Sequence, residues 1–536
     1  MAAKKKTTQE ESPAVAVKAG RRPRRPEEIP TLVAGIDIGS TAIRMKIAET
    51  LPDLQIRVLE ELNYPVTTGA DTYRRGYILP DTLHSICRIL DDYVHLMDGY
   101  GVPHRRVVSS ASVREAANSE ILIDRIRHDA GLELEILDTV EESRLVYQAL
   151  LPWLRQSPGE YSMTLNLGGG STEMMVLRGE DLQMGGARRL GASRLFHSFG
   201  QGTPQARGEL IKLITANIVN STRDIYQEYH AARFLLVNRM LYGAFRSDPM
   251  AIKHENDFVI PIDALREHLK KAYSLGNLEI SEVFNVGLTD VELLIPAMLI
   301  LDCFLEITDV KEVTFTNTEM LTGLLHEMAM DIRGENPLMS FHRQIVRSAR
   351  AVGEKYDYDR AHSRVVTEYS LRIFDALTEF LDLGFKERLL LELAAVLHDI
   401  GMFIAEPRHH RHGAYLVQWA DIVGLSEADR YLVAQIVFFH RKELPSSRHS
   451  EFMSLSQGDR MRVRKLAGIL RLADVLDRAH RQNVKDIRIV LSEGKLILFI
   501  QSSSEVDLIL DALPKKADLL EMVTGLHIEV RREMIR

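Results

Sequence analysis

The amino-acid sequence predicts a mixed α/β fold in which one unit occurs twice, followed by an all-helical region and a small α/β unit. Two hairpin patterns predict the repeated unit, at 32–47 and 162–177, because each joins an apolar strand to a second strand through a glycine-containing turn. From Phe341 to about Asp477 the apolar residues recur at helical spacing instead. Strand patterns return near the end, at 487–491, 495–500 and 527–530. Strands interleaved with helices in the repeated unit are typical of α/β architecture.

Length and composition indicate a folded protein with several domains. A chain of 536 residues exceeds the size at which one hydrophobic core keeps growing. Hydrophobic residues at 45% and charged residues at 26% exclude a disordered or fibrous chain. The changes of pattern predict a tail at 1–30, repeated α/β units at 31–160 and 161–335, a helical unit at 336–484 and a small α/β unit at 485–536.

The first thirty residues form a basic, proline-containing tail. They carry a net charge of +4, which leaves −12 on the rest of a chain whose net charge is −8. Such a composition predicts a disordered, solvated arm, and it also suits a role in holding a polyanion. We interpret the tail as a solvated arm.

The sequence predicts a cytoplasmic location. Only two cysteines occur, Cys87 and Cys303, and both lie in apolar stretches, which fits a reducing compartment without disulfides. The apolar stretch 293–305 is interrupted by Pro296 and Asp302 and is too short to span a bilayer. The N-terminus lacks the apolar core of a signal peptide. We therefore expect no membrane partner, and nothing predicts a specific nucleic-acid partner.

The two glycine-containing turns are the first candidate site. Glycines beside a buried strand let the backbone approach a ligand, and successive amides in such a turn attract phosphate oxygens. Neighbouring hydroxyl groups add donors, and a carboxylate at the strand end suits a magnesium ion or its water shell. The candidate phosphate-binding residues are Asp37, Gly39, Ser40, Thr41, Asn166, Gly168, Gly169, Gly170, Ser171, Thr172 and Glu173.

Four motifs in order give these turns a more specific meaning. They are Asp-Ile-Gly-Ser at 37–40, Ser-Ala-Ser-Val-Arg at 110–114, Glu-Glu-Ser-Arg-Leu at 141–145 and Gly-Gly-Gly-Ser-Thr-Glu at 168–173. In this order they resemble the Ppx/GppA family of exopolyphosphatases and guanosine pentaphosphate phosphohydrolases. The resemblance covers roughly 32–326. It implies duplicated actin- and sugar-kinase-like (ribonuclease H-like) domains, and release of terminal phosphate from polyphosphate or guanosine pentaphosphate.

The resemblance also implies roles for individual residues. The catalytic glutamate of the family falls on Glu142, which would orient or deprotonate the attacking water. Arg114 matches an arginine that neutralises phosphate charge through forked hydrogen bonds. Glu173 matches an acid expected to bind metal-bound water. The implied cofactor at this site is Mg²⁺ or Mn²⁺, and the family often forms homodimers.

This sequence departs from the family pattern at several positions. Asn166 stands where an aspartate usually precedes the triple glycine, so a full negative charge opposite a divalent cation is lost. Thr41 replaces an asparagine after the first turn. Bulky residues at 235–243 replace a later glycine-rich stretch, and Leu321 replaces an arginine. These departures predict weaker metal binding, a narrower pocket and altered or lost hydrolysis.

The helical region contains a second candidate site. Its histidines and acids follow the order of an HD-domain metal site, which it resembles. Neutral imidazoles bind transition-metal ions, and a carboxylate beside a histidine can bridge two of them. By this resemblance the metal ligands are His362, His398, Asp399, His412, His440 and Asp474. The flanking His409 and His410 lie beside Arg408 and Arg411, so that this cluster is also suited to gripping a polyanion.

Three hypotheses of function follow. The first is a Ppx/GppA-type phosphohydrolase that uses Glu142 and the two phosphate loops. The second is an N-terminal half that only senses a phosphorylated ligand, with the HD-type region as a metal-dependent phosphohydrolase. The third is a scaffold without activity. Asn166 and the bulky residues at 235–243, which replace the later glycine-rich stretch, motivate the second hypothesis. A bound metal in the helical region would disfavour the third hypothesis.

Overall fold

A computed structural model describes most of the chain. The described residues are 30–51, 54–199, 204–220, 223, 228–254, 256–335, 338–420, 422–492, 494–502 and 507–533. The predicted disordered tail at 1–30 lies outside them, apart from Pro30.

The first α/β unit is built on a five-stranded sheet in the order β3-β2-β1-β4-β5. The pairs β1–β2 and β2–β3 are antiparallel, whereas β4 and β5 run parallel to β1. Apolar residues on both faces of β1, such as Val33 and Ala34, are fully buried, as in a central strand that is covered on both sides. The strands are β1 Thr31–Ile38, β2 Ala42–Thr50, β3 Ile56–Pro65, β4 His104–Ser109 and β5 Leu134–Ile136. The helices are α1 Thr68–Arg75, α2 Pro80–Tyr100, α3 Ala111–Arg114, α4 Ser119–Ala130 and α5 Thr139–Leu154.

The second α/β unit repeats this arrangement and adds two strands at one edge. Its order is β10-β11-β12-β9-β6-β7-β8. The strands β8-β7-β6-β9-β12 correspond in that order to β3-β2-β1-β4-β5 of the first sheet, and each pair of neighbours has the same relative direction. The predicted duplication is therefore present. The strands are β6 Tyr161–Leu167, β7 Thr172–Arg178, β8 Asp181–Arg188, β9 Arg233–Val237, β10 Ile252–His254, β11 Asp257–Pro261 and β12 Glu312–Thr316. The helices are α6 Ala192–Ser198, α7 Pro204–Asn220, α8 Arg239–Phe245, α9 Ile262–Ser274, α10 Asn277–Phe284, α11 Leu288–Leu305 and α12 Met320–Ile332.

The described residues between 338 and 476 form helices without any strand. A three-stranded sheet then closes the chain, with β13–β14 antiparallel and β14–β15 parallel. The helices are α13 Leu338–Lys355, α14 Arg360–Leu381, α15 Phe385–Leu397, a 3-10 turn Ile400–Phe403, α16 His409–Trp419, α17 Glu427–Phe439, α18 Ser450–Met453 and α19 Gln457–Leu476. The final elements are β13 Val484–Ser492, β14 Lys495–Ser502, α20 Asp507–Thr524 and β15 His527–Glu533.

One apolar core crosses three of the boundaries predicted from the sequence. Buried residues of α5 and of the second sheet, such as Leu150 and Leu235, belong to the same cluster as Leu393 of the helical region and Ile500 of the last sheet. The helical region is thus packed against both neighbours through buried side chains, and the predicted division into units stays a prediction. No helix in the described part of the chain is long and apolar enough to cross a membrane.

Candidate functional site

The two predicted phosphate loops lie against each other. The turn between β6 and β7 is closed by a hydrogen bond from the Gly168 amide to the Ser171 carbonyl, at 2.9 Å. A Cβ atom at Gly169 would lie 2.5 Å from the Ser40 hydroxyl in the turn between β1 and β2. The bare glycine backbone is therefore what lets the loops meet. Sheets that repeat one topology bring equivalent turns to a common cleft.

A cavity of ≈ 990 Å³ opens between the two sheets at these loops. That volume is at the upper end of what small-molecule sites enclose, about 300–1,000 Å³. Its lining includes eight of the predicted residues, namely Asp37, Gly39, Ser40, Thr41, Glu142, Asn166, Gly168 and Gly169. Three other predicted residues, Ser171, Thr172 and Glu173, are buried beside this lining.

Glu142 faces the cavity from the first turn of α5. Asp138 caps this helix by accepting hydrogen bonds from the amides of Val140 and Glu141, each at 2.9 Å, which fixes where the helix begins. Arg114 Nη1 donates to Glu142 Oε1 at 2.7 Å and also to the carbonyl of Leu137. The arginine thus ties the acid to the strand end that precedes α5.

The ionisation of Glu142 is set by its surroundings. The side chain is buried. Burial first, and then the charge of Glu173, raises the pKa of Glu142 to about 8, although Arg114 opposes this shift. A carboxylate with such a pKa takes up a proton readily near neutral pH, which is the property a general base needs.

Asn166 is the hydrogen-bond partner of Glu173. The two residues face each other directly across β6 and β7. Asn166 Nδ2 donates to Glu173 Oε2 at 2.5 Å, and Ser171 Oγ donates to Oε1 at the same distance. Burial raises the pKa of Glu173. An aspartate at position 166 would place a second carboxylate against this buried acid, whereas the amide stabilises it.

Asp37 lies one residue before the end of β1 and faces Arg44 across the hairpin. Arg44 Nη1 donates to Asp37 Oδ2 at 3.3 Å, whereas Oδ1 is buried without a hydrogen-bond partner among the described residues. Burial raises the pKa of Asp37 to about 6. An orphaned carboxylate oxygen in a pocket that already holds two more buried acids fits a divalent cation, which would relieve their mutual repulsion.

The far wall of the cavity comes from segments that the sequence marked only as departures. Asn238 begins α8 by accepting from the Leu241 amide at 2.7 Å, and its own amide donates to the Leu167 carbonyl at 2.6 Å. It therefore anchors the strand that leads into the triple glycine. Lys46 Nζ lies 2.6 Å from Glu319 Oε1 on the same wall. No local sequence pattern indicates the ion pair between Lys46 and Glu319, since the two residues lie far apart in the chain.

We expect Gly191→Ala to lower both the stability of the protein and phosphate binding in the cleft, and Gly243→Ala to change neither. A Cβ atom at Gly191 would overlap the backbone carbonyl of Gly169, which cannot move without opening the loop. Gly243 lines the same cavity, but a Cβ atom there would have no neighbour within 4 Å among the described residues. Overpacking costs about 1–3 kcal/mol, so Gly191→Ala should lower the melting temperature and weaken phosphate binding. Equal melting and binding by the two variants would contradict this packing account.

The helical region holds a buried cluster of histidines and acids. Ligand atoms of His362, His398 and Asp474 all lie within 4.8 Å of one another, as do those of a second group formed by Asp399, His409 and His440. His362 Nε2 lies 3.2 Å from His398 Nε2, and Asp399 connects the two groups, with Oδ1 3.2 Å from His409 Nε2 and Oδ2 3.6 Å from His398 Nε2.

The outward-facing ring nitrogens fix the orientation of these imidazoles. His398 Nδ1 bonds the Ala395 carbonyl at 2.9 Å, and His440 Nδ1 bonds the Val437 carbonyl at 2.6 Å. His362 Nδ1 bonds Asp477 Oδ2 at 2.9 Å. At His398 and His440 the bond to a carbonyl holds the proton on Nδ1 and leaves the Nε2 lone pair aimed into the cluster, which is how metal-binding histidines are oriented. The donor set thus fits a divalent transition metal.

Burial and charge set the ionisation of the cluster, in which His398 and His440 are neutral and His362 carries a proton that a bound cation would displace. Burial lowers the pKa of His398 and of His440, so both imidazoles stay neutral. Burial alone would raise the pKa of Asp399, but the surrounding histidines hold it well below its usual range. Burial lowers the pKa of His362 less than its hydrogen bonds to Asp474 and Asp477 raise it, to about 9. The cluster therefore concentrates ionised acids around basic nitrogens.

One predicted ligand lies outside this cluster. Five of the six predicted residues come together, but His412 is in neither group, and His409, one turn earlier on α16, takes the position instead. The rotation of α16 decides this, because a Cβ atom at Gly401 would overlap the carbonyl of His409 and the amide of Gly413. That contact turns His409 towards Asp399. The sequence missed His480 as well, whose ring stacks on His362 with centroids 3.6 Å apart.

A repeated α/β fold whose cleft holds a buried acid beside an arginine is the arrangement of a phosphoanhydride hydrolase of the actin and sugar-kinase class. The chain belongs to the Ppx/GppA phosphatase family. The model of that family matches residues 47–331, and the model of Ppx/GppA phosphatase domain III matches residues 345–519. The assignment of the helical region as HD-type stays a prediction.

Curated relatives cover most of the chain. It is 21% identical over 477 residues to the guanosine-5'-triphosphate,3'-diphosphate pyrophosphatase of Photobacterium profundum, a match that covers 89% of this chain and 93% of that protein. The protein of the same name from Vibrio vulnificus is 20% identical, over 88% of this chain and 92% of its own length. An exopolyphosphatase structure from Cytophaga hutchinsonii aligns with a TM-score of 0.52 at 15% identity, over 57% of this chain and 99% of that one. This last likeness supports the fold alone.

Proposed function

We propose that this chain releases terminal orthophosphate from guanosine pentaphosphate or from inorganic polyphosphate in the cleft between its two sheets. The observation that carries the proposal is the buried Glu142 carboxylate, hydrogen-bonded to Arg114 and facing a cavity walled by two glycine loops. Glu142 accepts a proton from the attacking water as the new oxygen–phosphorus bond forms. The terminal phosphoanhydride bond breaks, and its electron pair leaves with the shortened phosphate chain.

The other residues bind and orient the phosphate groups. The loops that contain Gly39 and Gly168 bring their backbone to the wall of the cavity, and the hydroxyl groups of Ser40 and Thr41 offer donors to phosphate oxygens. Arg114 balances the charge that accumulates on the transferred group. Mg²⁺ or Mn²⁺ held by Asp37 and Glu173 would supply further positive charge to the phosphate oxygens when bound.

Two substrates share the chemistry that this cleft recognises, which is a terminal phosphoanhydride. The relatives named for guanosine pentaphosphate favour the nucleotide, and the cavity volume of ≈ 990 Å³ accommodates one. We expect purified protein with Mg²⁺ to release orthophosphate from guanosine pentaphosphate, and a parallel assay with long-chain polyphosphate measures the alternative. No release from either substrate with Mg²⁺ or Mn²⁺ would refute the assignment.

Replacing Asn166 with aspartate should make the stability of the protein depend on Mg²⁺. Without metal, the new carboxylate lies against buried Glu173 in place of the amide that donates at 2.5 Å, so the folded state loses stability. With metal, the added carboxylate is a ligand and the loss is reversed. We expect a Mg²⁺-induced rise in melting temperature that exceeds the wild-type rise by about 2–4 °C, as about 1 kcal/mol produces in a large domain.

The matched control for this variant is Asn63→Asp, which adds the same charge to an exposed position of the same cavity. Its Mg²⁺ response should equal that of the wild type. A gain in phosphate release by Asn166→Asp would favour the hypothesis that the natural cleft is a weakened enzyme. Identical Mg²⁺ responses of Asn166→Asp and the wild type would count against Asn166 lying at the cation site.

We propose as a second candidate that the helical region is an HD-type, metal-dependent phosphohydrolase. Four imidazole Nε2 atoms directed at two partly buried carboxylates favour it, because nothing in a purely structural core requires that arrangement. A divalent transition metal would polarise a phosphate oxygen there. Under this hypothesis the N-terminal cleft binds a phosphorylated ligand and acts as a sensor.

We infer further that the protein works in the cytoplasm as a homodimer. Large apolar side chains are exposed together on the helical region, with Tyr415 and Trp419 one turn apart on α16 and Phe403 in the adjoining 3-10 turn. Apolar surface of this kind commonly marks an interface between protein chains.

A further inference from the structure

A strongly basic pocket lies beside the histidine cluster. It encloses ≈ 450 Å³ between α20, the end of α19 and the residues that follow α17. Two acids, Asp511 and Asp518, also line it. Its six cationic side chains are Arg441, Lys442, Arg471, Arg478, Lys515 and Lys516. Six cations around two acids create a concave site of strongly positive potential on a chain whose net charge is −8.

Arg471 is the buried cation that lines the bottom of this pocket. It is the largest side chain among those that are fully buried. Its guanidinium donates to Asp518 Oδ1 at 3.0 Å and to the Lys515 carbonyl at 2.9 Å, but its Nε is buried without a hydrogen-bond partner among the described residues. A buried N–H of a charged group left unpaired costs free energy, which an anionic ligand would recover.

The rim of the pocket carries cations that are not neutralised. Lys442, Arg478 and Lys515 are exposed, and in the described part of the chain none of them is paired with a carboxylate. Lys442 also has a φ of 61°, a left-handed conformation that residues other than glycine rarely adopt. Such strained positions concentrate at ligand sites.

Two of the six cations touch the histidine cluster directly. Arg441 Nη1 lies 3.0 Å from His409 Nε2, and Lys516 donates to Asp474. Lys516 also donates to the carbonyl of His440 at 3.3 Å. The basic pocket and the cluster therefore share a wall, and a ligand held by the pocket lies against the cluster.

We propose that this pocket binds the phosphate groups of a small phosphorylated molecule and presents that molecule to the histidine cluster. Its multiple unpaired cations suit a ligand with several negative charges, which favours linked phosphates over a single carboxylate. A nucleoside polyphosphate and a short inorganic phosphate chain share this chemistry. The inference deepens the second candidate function, since it supplies the substrate-binding part of that site.

The test is calorimetric binding of methylenediphosphonate, a linked phosphate analogue that cannot be hydrolysed at its bridge, to the full-length protein with Mg²⁺ present. Wild type should bind two equivalents, one in the cleft and one in the basic pocket. The variant Lys442→Glu with Lys515→Glu should retain the cleft equivalent and bind the other about tenfold more weakly, because it reverses two rim charges. Lys253→Glu with Lys270→Glu makes the same change of net charge on exposed lysines elsewhere and should bind like wild type.

The outcomes separate this inference from the proposed functions. If the variant with Lys442→Glu and Lys515→Glu, called here the rim variant, loses one equivalent and the control variant does not, the result supports phosphate binding in the pocket. This holds even if the protein binds no metal or releases no phosphate. Two unchanged equivalents in the rim variant, or a single equivalent in wild type that the rim substitutions leave unaltered, overturn it. A second titration, with the β,γ-methylene analogue of GTP, identifies the class of ligand that the pocket recognises. If the pocket binds this analogue more tightly than it binds methylenediphosphonate, the ligand is a nucleotide. If it binds the analogue more weakly, the ligand is an inorganic phosphate chain.

Discussion

Replacing Glu142 with glutamine should lower the rate of phosphate release by about 10³-fold, within the range of about 10²–10⁴ that general-base catalysis contributes. Glutamine fills the same space and its carbonyl oxygen still accepts the hydrogen bond that Arg114 donates at 2.7 Å. It cannot take a proton from water. A colorimetric phosphate assay under saturating substrate measures the loss, which should fall on kcat and leave substrate binding intact.

The wild-type pH profile belongs to the same prediction. Because burial and Glu173 raise the pKa of Glu142 to about 8, the ionised base becomes more abundant and activity should rise as pH approaches 8. Stability should move the other way, since a folded-state pKa above the unfolded value contributes stability that is lost as pH rises through the folded pKa. Glu142→Gln should remove the activity trend and the part of the stability trend that Glu142 contributes, whereas the raised pKa of Asp37 keeps its own part.

The control for this variant is Glu141→Gln, which removes a charge from the neighbouring residue on α5 without removing the side chain bonded to Arg114. It should keep nearly all of the activity. Undiminished phosphate release by Glu142→Gln would mean that another group accepts the proton. It would then direct attention to the helical region.

The fold and the position of the cleft could be predicted because local patterns determine them. Two hairpins with glycine turns are visible in the sequence, and a repeated topology brings such turns together. The pairing of Asp37 with Arg44 follows from hairpin register, which the sequence analysis did not work out. The hydrogen bond between Asn166 and Glu173 follows from strand register in the same way, because the two residues face each other across β6 and β7. A position interpreted as a lost metal ligand is thus also a hydrogen-bond donor to a buried acid.

The second site shows where sequence reasoning fails for a physical reason. The order of the histidines and acids, which resembles that of an HD-domain site, predicted five residues of the cluster, but the choice between His409 and His412 depends on the rotation of α16 about its axis. That rotation follows from the close contact between Gly401 and the backbone of α16, which joins residues from two separate elements. The pairing of Lys516 with Asp474 likewise depends on how α20 packs on α19. Tertiary packing of this kind has no local sequence signal.

Replacing Asp399 with asparagine should abolish the metal binding that we propose for the helical region. Asp399 is the residue that connects the two ligand groups, with one oxygen 3.2 Å from His409 Nε2 and the other 3.6 Å from His398 Nε2. Asparagine keeps the shape but removes the charge that a divalent ion requires. We expect elemental analysis to find less than about a tenth of the wild-type metal, since even loss of an outer-shell partner weakens metal affinity by about 10–100-fold.

The control is Asp382→Asn, in the same region but exposed at the end of α14 with a φ of 50°, where asparagine is as well tolerated as aspartate. It should retain metal and melt like wild type. Combined with Glu142→Gln, Asp399→Asn also separates the two functional hypotheses. Phosphate release that survives Asp399→Asn and disappears in Glu142→Gln assigns hydrolysis to the cleft. The reverse pattern makes the helical region the hydrolase and the cleft its sensor, because each substitution removes the acid on which one of the two sites depends.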